Sequence, residues 1–272
     1  DFTGSLNDWN VTNITKMDGM FSNSSFNGTI SNWDVSGFTS LKGFFYNCSF
    51  NKSIANWNVS NVKDMSNMFA RCRFDGVIKN WDVSNVTNMN NMFAGAYFNG
   101  DMANWNVSNV TNMAYMFNNS RINKRNLSNW DVGNVTNVIS MFAQSCFNCI
   151  INNWNLSKVT DFTNMFNNAK KFNSDISNWN VSNALNMSYM FANCYNFTSD
   201  LTNWDVSKVT NMGFLFDNCH TFRGDLYDWN VSNVTNMRRM FKNVVDFNSN
   251  ITQWDVGNVE NMSEMFVQNR KI

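Results

Sequence analysis

Six cysteines, a single histidine and a set of recurring aspartates are the residues of this 272-residue chain whose types and spacing suit chemistry. Cys48 and Cys72 lie in the same phase of neighbouring segments, three residues after a Phe, and so do Cys194 and Cys219. Cys146 and Cys149 fall together as C-F-N-C. Three neighbouring pairs from six thiols suggest disulfides in an oxidising compartment. The same phase elsewhere holds Ser24, Ala96, Ser120 and Ala169, so the cysteines also read as small buried residues. A redox role for Cys146 and Cys149 would need a helix N-terminus or basic neighbour to stabilise a thiolate, and none is evident. Zinc would need clustered ligands, whereas His220 is the only histidine and the cysteines are scattered. Asp101, Asp175, Asp200 and Asp225 share a loop phase that raises calcium, without the clustered oxygen ligands it requires. No nucleophile–base pair, phosphate loop or paired carboxylates stand out, so the expectation is a protein without catalytic activity or cofactor.

What positions these residues is a repeat. Trp occurs at 9, 33, 57, 81, 105, 130, 154, 179, 204, 229 and 254, and a Phe follows each one twelve residues later. The 24–25-residue period varies only in the return from Phe to the next Trp, so residues 1–272 read as one solenoid of eleven repeats. Within a repeat, Ile78, Trp81 and Val83 follow the L-x-x-L-x-L spacing of a leucine-rich-repeat strand. Val86, Met89, Met92 and Phe93 then recur at three and four residues, the apolar stripe of a short helix. The expected fold is an α/β repeat solenoid, leucine-rich-repeat-like and right-handed, with one parallel strand and one short helix per repeat. Strands about 4.8 Å apart and helices roughly 8–10 Å apart would curve it, strands on the concave side, whereas a tight turn in place of the helix would straighten it. The methionines occupy almost entirely two phases, eight and eleven residues after Trp, and read as core filler.

Composition narrows the function. Twenty basic and twenty acidic residues give zero net charge, and the cations come in small groups such as Lys170-Lys171 and Arg238-Arg239, which argues against a nucleic-acid stripe. No apolar run is long enough to span a bilayer. Aromatic residues at 15% supply the apolar surface that an Asn-rich disordered chain would lack.

The pattern N-W-D-V-S-N-V-T-N-M-x-x-M-F, followed by F-N-x-D-I-S, resembles the roughly 25-residue repeat of mycoplasma surface lipoproteins and of BspA-like leucine-rich-repeat surface proteins. The resemblance covers the whole chain. It implies a surface location with adhesion as the usual role, and brings no catalytic residues with it. Six cysteines and 21 N-x-S/T sequons suit a secretory eukaryotic or viral setting better than a mycoplasma, and no lipid-attachment Cys lies near residue 1.

Three sets of surface residues follow. Loop sequons at Asn47, Asn51, Asn118 and Asn196 are the better candidates for glycosylation. Residues flanking Trp, namely Asn32, Asp34, Asn56, Asn58, Asn80, Asp82, Asn104 and Asn106, form a flat polar ladder that suits a repetitive glycan or ordered surface, or merely satisfies backbone groups. The outward positions of the second segment vary more, as in Ala114-Tyr115, Gly213-Phe214 and Ser263-Glu264, and suit a specific partner. Phe2, Leu6, Trp9, Phe266 and Ile272 would face further repeats or copies of the chain end to end. The expected function is adhesion or recognition of a protein or glycan surface outside the cell, the alternative a structural subunit of an extracellular fibre or coat.

Overall fold

The computed structural model describes residues 4–123 and 125–270. Among these residues there is no helix and no extended strand: the chain is a succession of tight turns, with parallel pairing confined to isolated bridges such as Asp64 with Asn88. The α/β leucine-rich-repeat solenoid expected from the apolar spacing is therefore incorrect. Each repeat is one rung of turns, and the rungs stack on one another.

The rung around Trp57 shows why no strand forms. Asn58 Oδ1 accepts the Ser60 amide at 3.1 Å and its hydroxyl at 2.7 Å, capturing an amide that a strand would offer to its neighbour. Turns close on both sides, from the Trp57 amide to the Ile54 carbonyl and from the Val62 amide to the Val59 carbonyl. Short polar side chains that bond their own backbone compete with a ladder, and here they displace it. Trp57 and Val59 are nonetheless both buried, so the inferred inward face is correct even though its backbone is not.

The helix is displaced in a related way. The amides of Met65, Asn67, Phe69 and Arg71 donate to carbonyls of Asn88, Asn90, Met92 and Ala94 in the next rung at 2.7–3.0 Å. The amides between them, on Met68, Ala70 and Cys72, close turns within the rung onto Met65, Asn67 and Phe69. Asn67 and Arg71 have φ of 58° and 57°, in the left-handed region that interrupts any right-handed helix. A three–four apolar spacing thus arises from overlapping turns, and it still buries Met65, Met68 and Phe69 completely. Because the turn segment of a rung bonds amide to carbonyl with its neighbour, the rise is close to the roughly 4.8 Å of paired backbones. The helix–strand mismatch that implied curvature does not arise.

One hydrophobic cluster runs from Leu6 to Met265. Trp rings stack rung on rung, with centroids 6.5 Å apart for Trp105–Trp130 and 6.2 Å for Trp130–Trp154. Phe rings stack more closely, as in Phe69–Phe93 at 5.6 Å. The Trp indoles also carry a polar tie. Trp57 Nε1 donates to the Ile30 carbonyl and Trp81 Nε1 to the Ile54 carbonyl, and the same bond recurs through Trp254 and Leu226. A buried indole N–H needs a partner, and the rung below supplies it.

The variable rung length has a local cause. In 24-residue rungs the second Phe comes two residues after the Cys/Ala phase, as in Cys72 to Phe74. In the 25-residue rungs from Trp154 onward it comes three residues after, and the extra residue closes another turn, from the Phe197 amide to the Cys194 carbonyl and from the Phe222 amide to the Cys219 carbonyl. The 25-residue rung of Trp105 instead gains its residue between Ile122 and Leu127.

Candidate functional site

The polar ladder beside Trp is exposed but largely occupied with its own backbone. Asn32, Asp34, Asn56, Asn58, Asn80, Asp82, Asn104 and Asn106 all face solvent. The residue after Trp accepts the amide two positions on in every rung, as in Asp34 with Ser36, Asp82 with Ser84 and Asn106 with Ser108. The Ser36 and Ser84 hydroxyls, with their amides, hold Asp34 and Asp82 below the usual carboxylate range. Three residues further along, Asn61, Asn85 and Asn109 donate to the carbonyls of Ser36, Ser60 and Ser84 in the rung before, each at 2.8 Å. Much of the Asn abundance therefore serves turns and rung-to-rung ties.

The expected disulfides are not formed. All six cysteines are free thiols, five of them buried and Cys146 exposed. The same-phase thiols donate to carbonyls of the preceding rung: Cys48 to Phe26 and Cys72 to Phe50, both at 3.4 Å, Cys194 to Phe166 at 3.0 Å, and Cys219 to Phe191 at 2.8 Å. Burial pushes the Cys72 thiol up to about 12 and that of Cys149 to about 11.

Among the sequon positions, Asn47, Asn51 and Asn196 are exposed and Asn118 is half-buried. Asn47 Nδ2 donates to Asn23 Oδ1, and Asn51 Oδ1 accepts the Asp75 amide. Of the proposed end residues, Leu6 is buried and gives its carbonyl to Trp33 Nε1, Trp9 is 54% exposed, and Phe266 stacks on Phe241 at 5.9 Å. Phe2 and Ile272 lie outside the described residues. Among the described residues no group of three His, Cys, Asp or Glu side chains could hold a metal ion, and no helix is long and apolar enough to cross a membrane.

The departure from monotony is on the outer edge of the left-handed turns. Every rung has two positive-φ positions, ten and fourteen residues after Trp. Asn and Gly tolerate that conformation, and early rungs place Gly19, Gly43, Asn67 and Asn91 at the first of them. Later rungs place Tyr115, Tyr189, Phe214, Arg239 and Glu264 there, at φ between 55° and 61°. For bulky side chains this is strain of order 1–3 kcal/mol each.

The last four of these rungs are consecutive and their side chains interact. Tyr189 and Phe214 stack at 4.2 Å, and the guanidinium carbons of Arg238 and Arg239 both lie 5.5 Å from the Phe214 ring centre. Glu264 receives Arg239 at 2.8 Å and Lys242 at 2.6 Å, and these hydrogen bonds hold its carboxyl down to about 2. Beside them Asp217 is buried and its carboxyl is raised by that burial, with Lys242 and Arg239 pulling it back. Two atoms of this patch are buried without a hydrogen-bond partner among the described residues: Asp217 Oδ1, an acceptor, and Arg239 Nε, a donor. An aromatic shelf, a fixed ion-pair network and an orphaned donor and acceptor together suit contact with another molecule.

Comparison with known proteins places the repeat. The profile of the family described as "Mycoplasma protein of unknown function, DUF285" matches residues 1–96, 39–148, 71–176, 117–226 and 186–272. The chain belongs to this family. No curated protein and no solved structure matches it. The overlapping matches tile the whole DUF285 chain, so every rung described above is a copy of the family's repeat.

Two features of this DUF285 chain escaped the sequence pattern. The left-handed positions cannot be read from apolar spacing, although their frequent Asn and Gly in a fixed phase are a signal. Asp217 gave no signal except that Ala192, Ala143 and Ala94 hold its phase in other rungs.

Proposed function

We propose that this chain is a non-enzymatic recognition module that acts outside the cell or on a particle surface, and that it docks a protein or glycan surface through Tyr189, Phe214, Arg238 and Arg239. The observation that carries this is the placement of large aromatic and charged side chains at positive φ in consecutive rungs, where Asn serves the fold better. Strain kept at adjacent positions points to use. The motif N-W-D-V-S-N-V, with its likeness to BspA-like surface proteins, supports a surface role.

The test is to restore the repeat's own residue. The double variant Tyr189→Asn/Phe214→Asn relieves strain of about 1 kcal/mol or more per site and loses a stacked pair of similar worth, so its melting temperature should hold. Binding of the labelled chain to intact cells should fall at least about tenfold, the loss expected of aromatic contacts worth about 1.4 kcal/mol or more. Unchanged cell binding would refute the assignment.

A structural subunit of a fibre or coat is the second reading, and one observation favours it. Along the turn face, amides such as those of Met65, Asn67 and Phe69 donate toward the following rung. The Lys63 and Thr87 amides donate the other way, to Thr39 and Lys63 of the preceding rung, so the two faces of a rung differ and copies would join only head to tail. Electron microscopy of the purified chain showing regular filaments would favour this reading over the first.

A further inference from the structure

The cations that look scattered in the sequence include a column. In seven consecutive rungs the position four residues after the repeat Phe holds Arg73, Tyr97, Arg121, Cys146, Lys170, Tyr195 and His220, with Cys146 exposed and Val245 ending the run. In the stack these belong to consecutive rungs and lie on the return side of the coil, in a different phase from the Phe214 patch. Arg73, Tyr97, Arg121, Lys170 and His220 are exposed. The Arg121 guanidinium carbon sits 4.2 Å from the centre of the Tyr97 ring, Lys170 Nζ lies 5.6 Å from that of Tyr195, and Tyr195 stacks on His220 at 5.2 Å. Two of the three cations are thus propped by an aromatic ring from a neighbouring rung, the preceding one for Arg121 and the following one for Lys170, which reduces the side-chain entropy lost on binding.

We propose that this column is a binding track for a linear acidic polysaccharide that carries a carboxylate on every second sugar. Charge is the first reason. The column contains no acidic side chain on a chain whose net charge is zero, and on its flanks Lys171 adds a cation while Arg71 and Asp75 on either side of Arg73 offset each other. Period is the second. Arg73, Arg121 and Lys170 occupy alternate rungs, which at roughly 4.8 Å per rung places a cation about every 10 Å. A pyranose ring is about as long as a rung is tall, so alternate sugars meet alternate cations. A guanidinium receives a carboxylate through two parallel hydrogen bonds, which suits Arg73 and Arg121. Single-stranded nucleic acid fits less well. Its bases need free aromatic faces, whereas Tyr97 is covered by Arg121 and Tyr195 by Lys170 and His220.

The first two rungs supply the conservative replacement, because Ser25 and Ser49 occupy this phase there. The variant Arg73→Ser/Arg121→Ser/Lys170→Ser should therefore fold, with its near-UV circular dichroism and melting temperature unchanged. Binding of hyaluronate oligosaccharides to the full chain is measured by calorimetry at low and physiological salt, with dextran as the neutral control. The expected result is salt-sensitive binding of hyaluronate, none of dextran, and an about tenfold weaker Kd in the triple variant, from three exposed charge contacts worth a factor of about two each. Tyr97→Ser should weaken binding without removing charge, which a merely electrostatic surface would not show. No hyaluronate binding, or binding that the triple variant leaves unchanged, overturns the proposal. So does tighter binding of a single-stranded oligonucleotide through the same three residues, which would make the track a nucleic-acid surface. The Tyr189→Asn/Phe214→Asn variant should bind hyaluronate normally, so this track and the Phe214 patch stand or fall separately.

Discussion

Trp130 donates its indole Nε1 to the carbonyl of Met102 in the rung below at 2.9 Å, and that same carbonyl accepts the Trp105 amide at 3.0 Å. Both lone pairs of one buried oxygen are therefore engaged, by a turn within the rung and by a side chain from the next. Trp130→Phe should cost about 2 kcal/mol, from one lost hydrogen bond and the volume left unfilled. Urea unfolding measures this directly, and a midpoint equal to the parent's would show that the indole tie contributes nothing.

Cysteine labelling distinguishes free thiols from bridges. Native protein treated with iodoacetamide without reductant should gain a single adduct, at the exposed Cys146. After unfolding, still without reductant, it should gain all six. Burial raises the thiols of Cys72, Cys149, Cys194 and Cys219, which keeps them in their unreactive protonated form at neutral pH. Fewer than six adducts in the unfolded chain would reveal disulfides.

Acid should release the ion-pair network at Glu264. Its carboxyl is held at about 2 against an ordinary 4.5, so the stabilisation it gives is complete above 4.5 and disappears as pH falls toward 2. The melting-temperature difference between the parent and Glu264→Gln should be constant above pH 5 and close between pH 4.5 and 2. A difference that persists at pH 2 would mean the glutamate acts through packing rather than charge.

Asp217 opposes the fold. Its buried carboxyl has an unmatched Oδ1, and Ala192 fills the same phase in the preceding rung. Asp217→Ala should stabilise the chain by about 1 kcal/mol at neutral pH, the scale of an unsatisfied buried acceptor. Burial raises the folded-state carboxyl, so the penalty is full at neutral pH and is relieved as pH falls through that raised value toward 3.8. The advantage of the variant should accordingly shrink in acid. A destabilised variant at pH 7 would mean that its attraction to Lys242 and Arg239 outweighs the burial.

The inward residues of the interior rungs were legible from period alone, whereas in the end rungs Trp9, Val256 and Met262 are exposed. Trp81, Val83, Val86, Met89, Met92 and Phe93 are all buried, as a two-residue and then a three–four spacing implies. The backbone that carries them was not, because overlapping tight turns reproduce the apolar spacing of a helix. Asn88 marks the difference. Its side chain takes the Asn90 amide at 3.1 Å, and Asn91 beyond it is left-handed at φ 56°, so an Asn-rich stripe makes turns where a Leu- or Ala-rich one would make a helix. The free thiols of Cys48 and Cys72, each given to a carbonyl of the rung before, illustrate a second limit. Sequence phase brings two residues near one another but does not turn their side chains toward each other.

The extra turn at Cys194–Phe197 has a consequence for how such a chain changes over generations. Rung-to-rung bonds join equivalent positions whether 24 or 25 residues separate them, so a one-residue insertion at that turn leaves the register of every later rung intact. Misaligned recombination between any two copies of the repeat would likewise produce an in-phase chain, longer or shorter by whole rungs. Length is then a trait that can drift freely, while the side chains on the outer columns are shuffled into new orders along the stack.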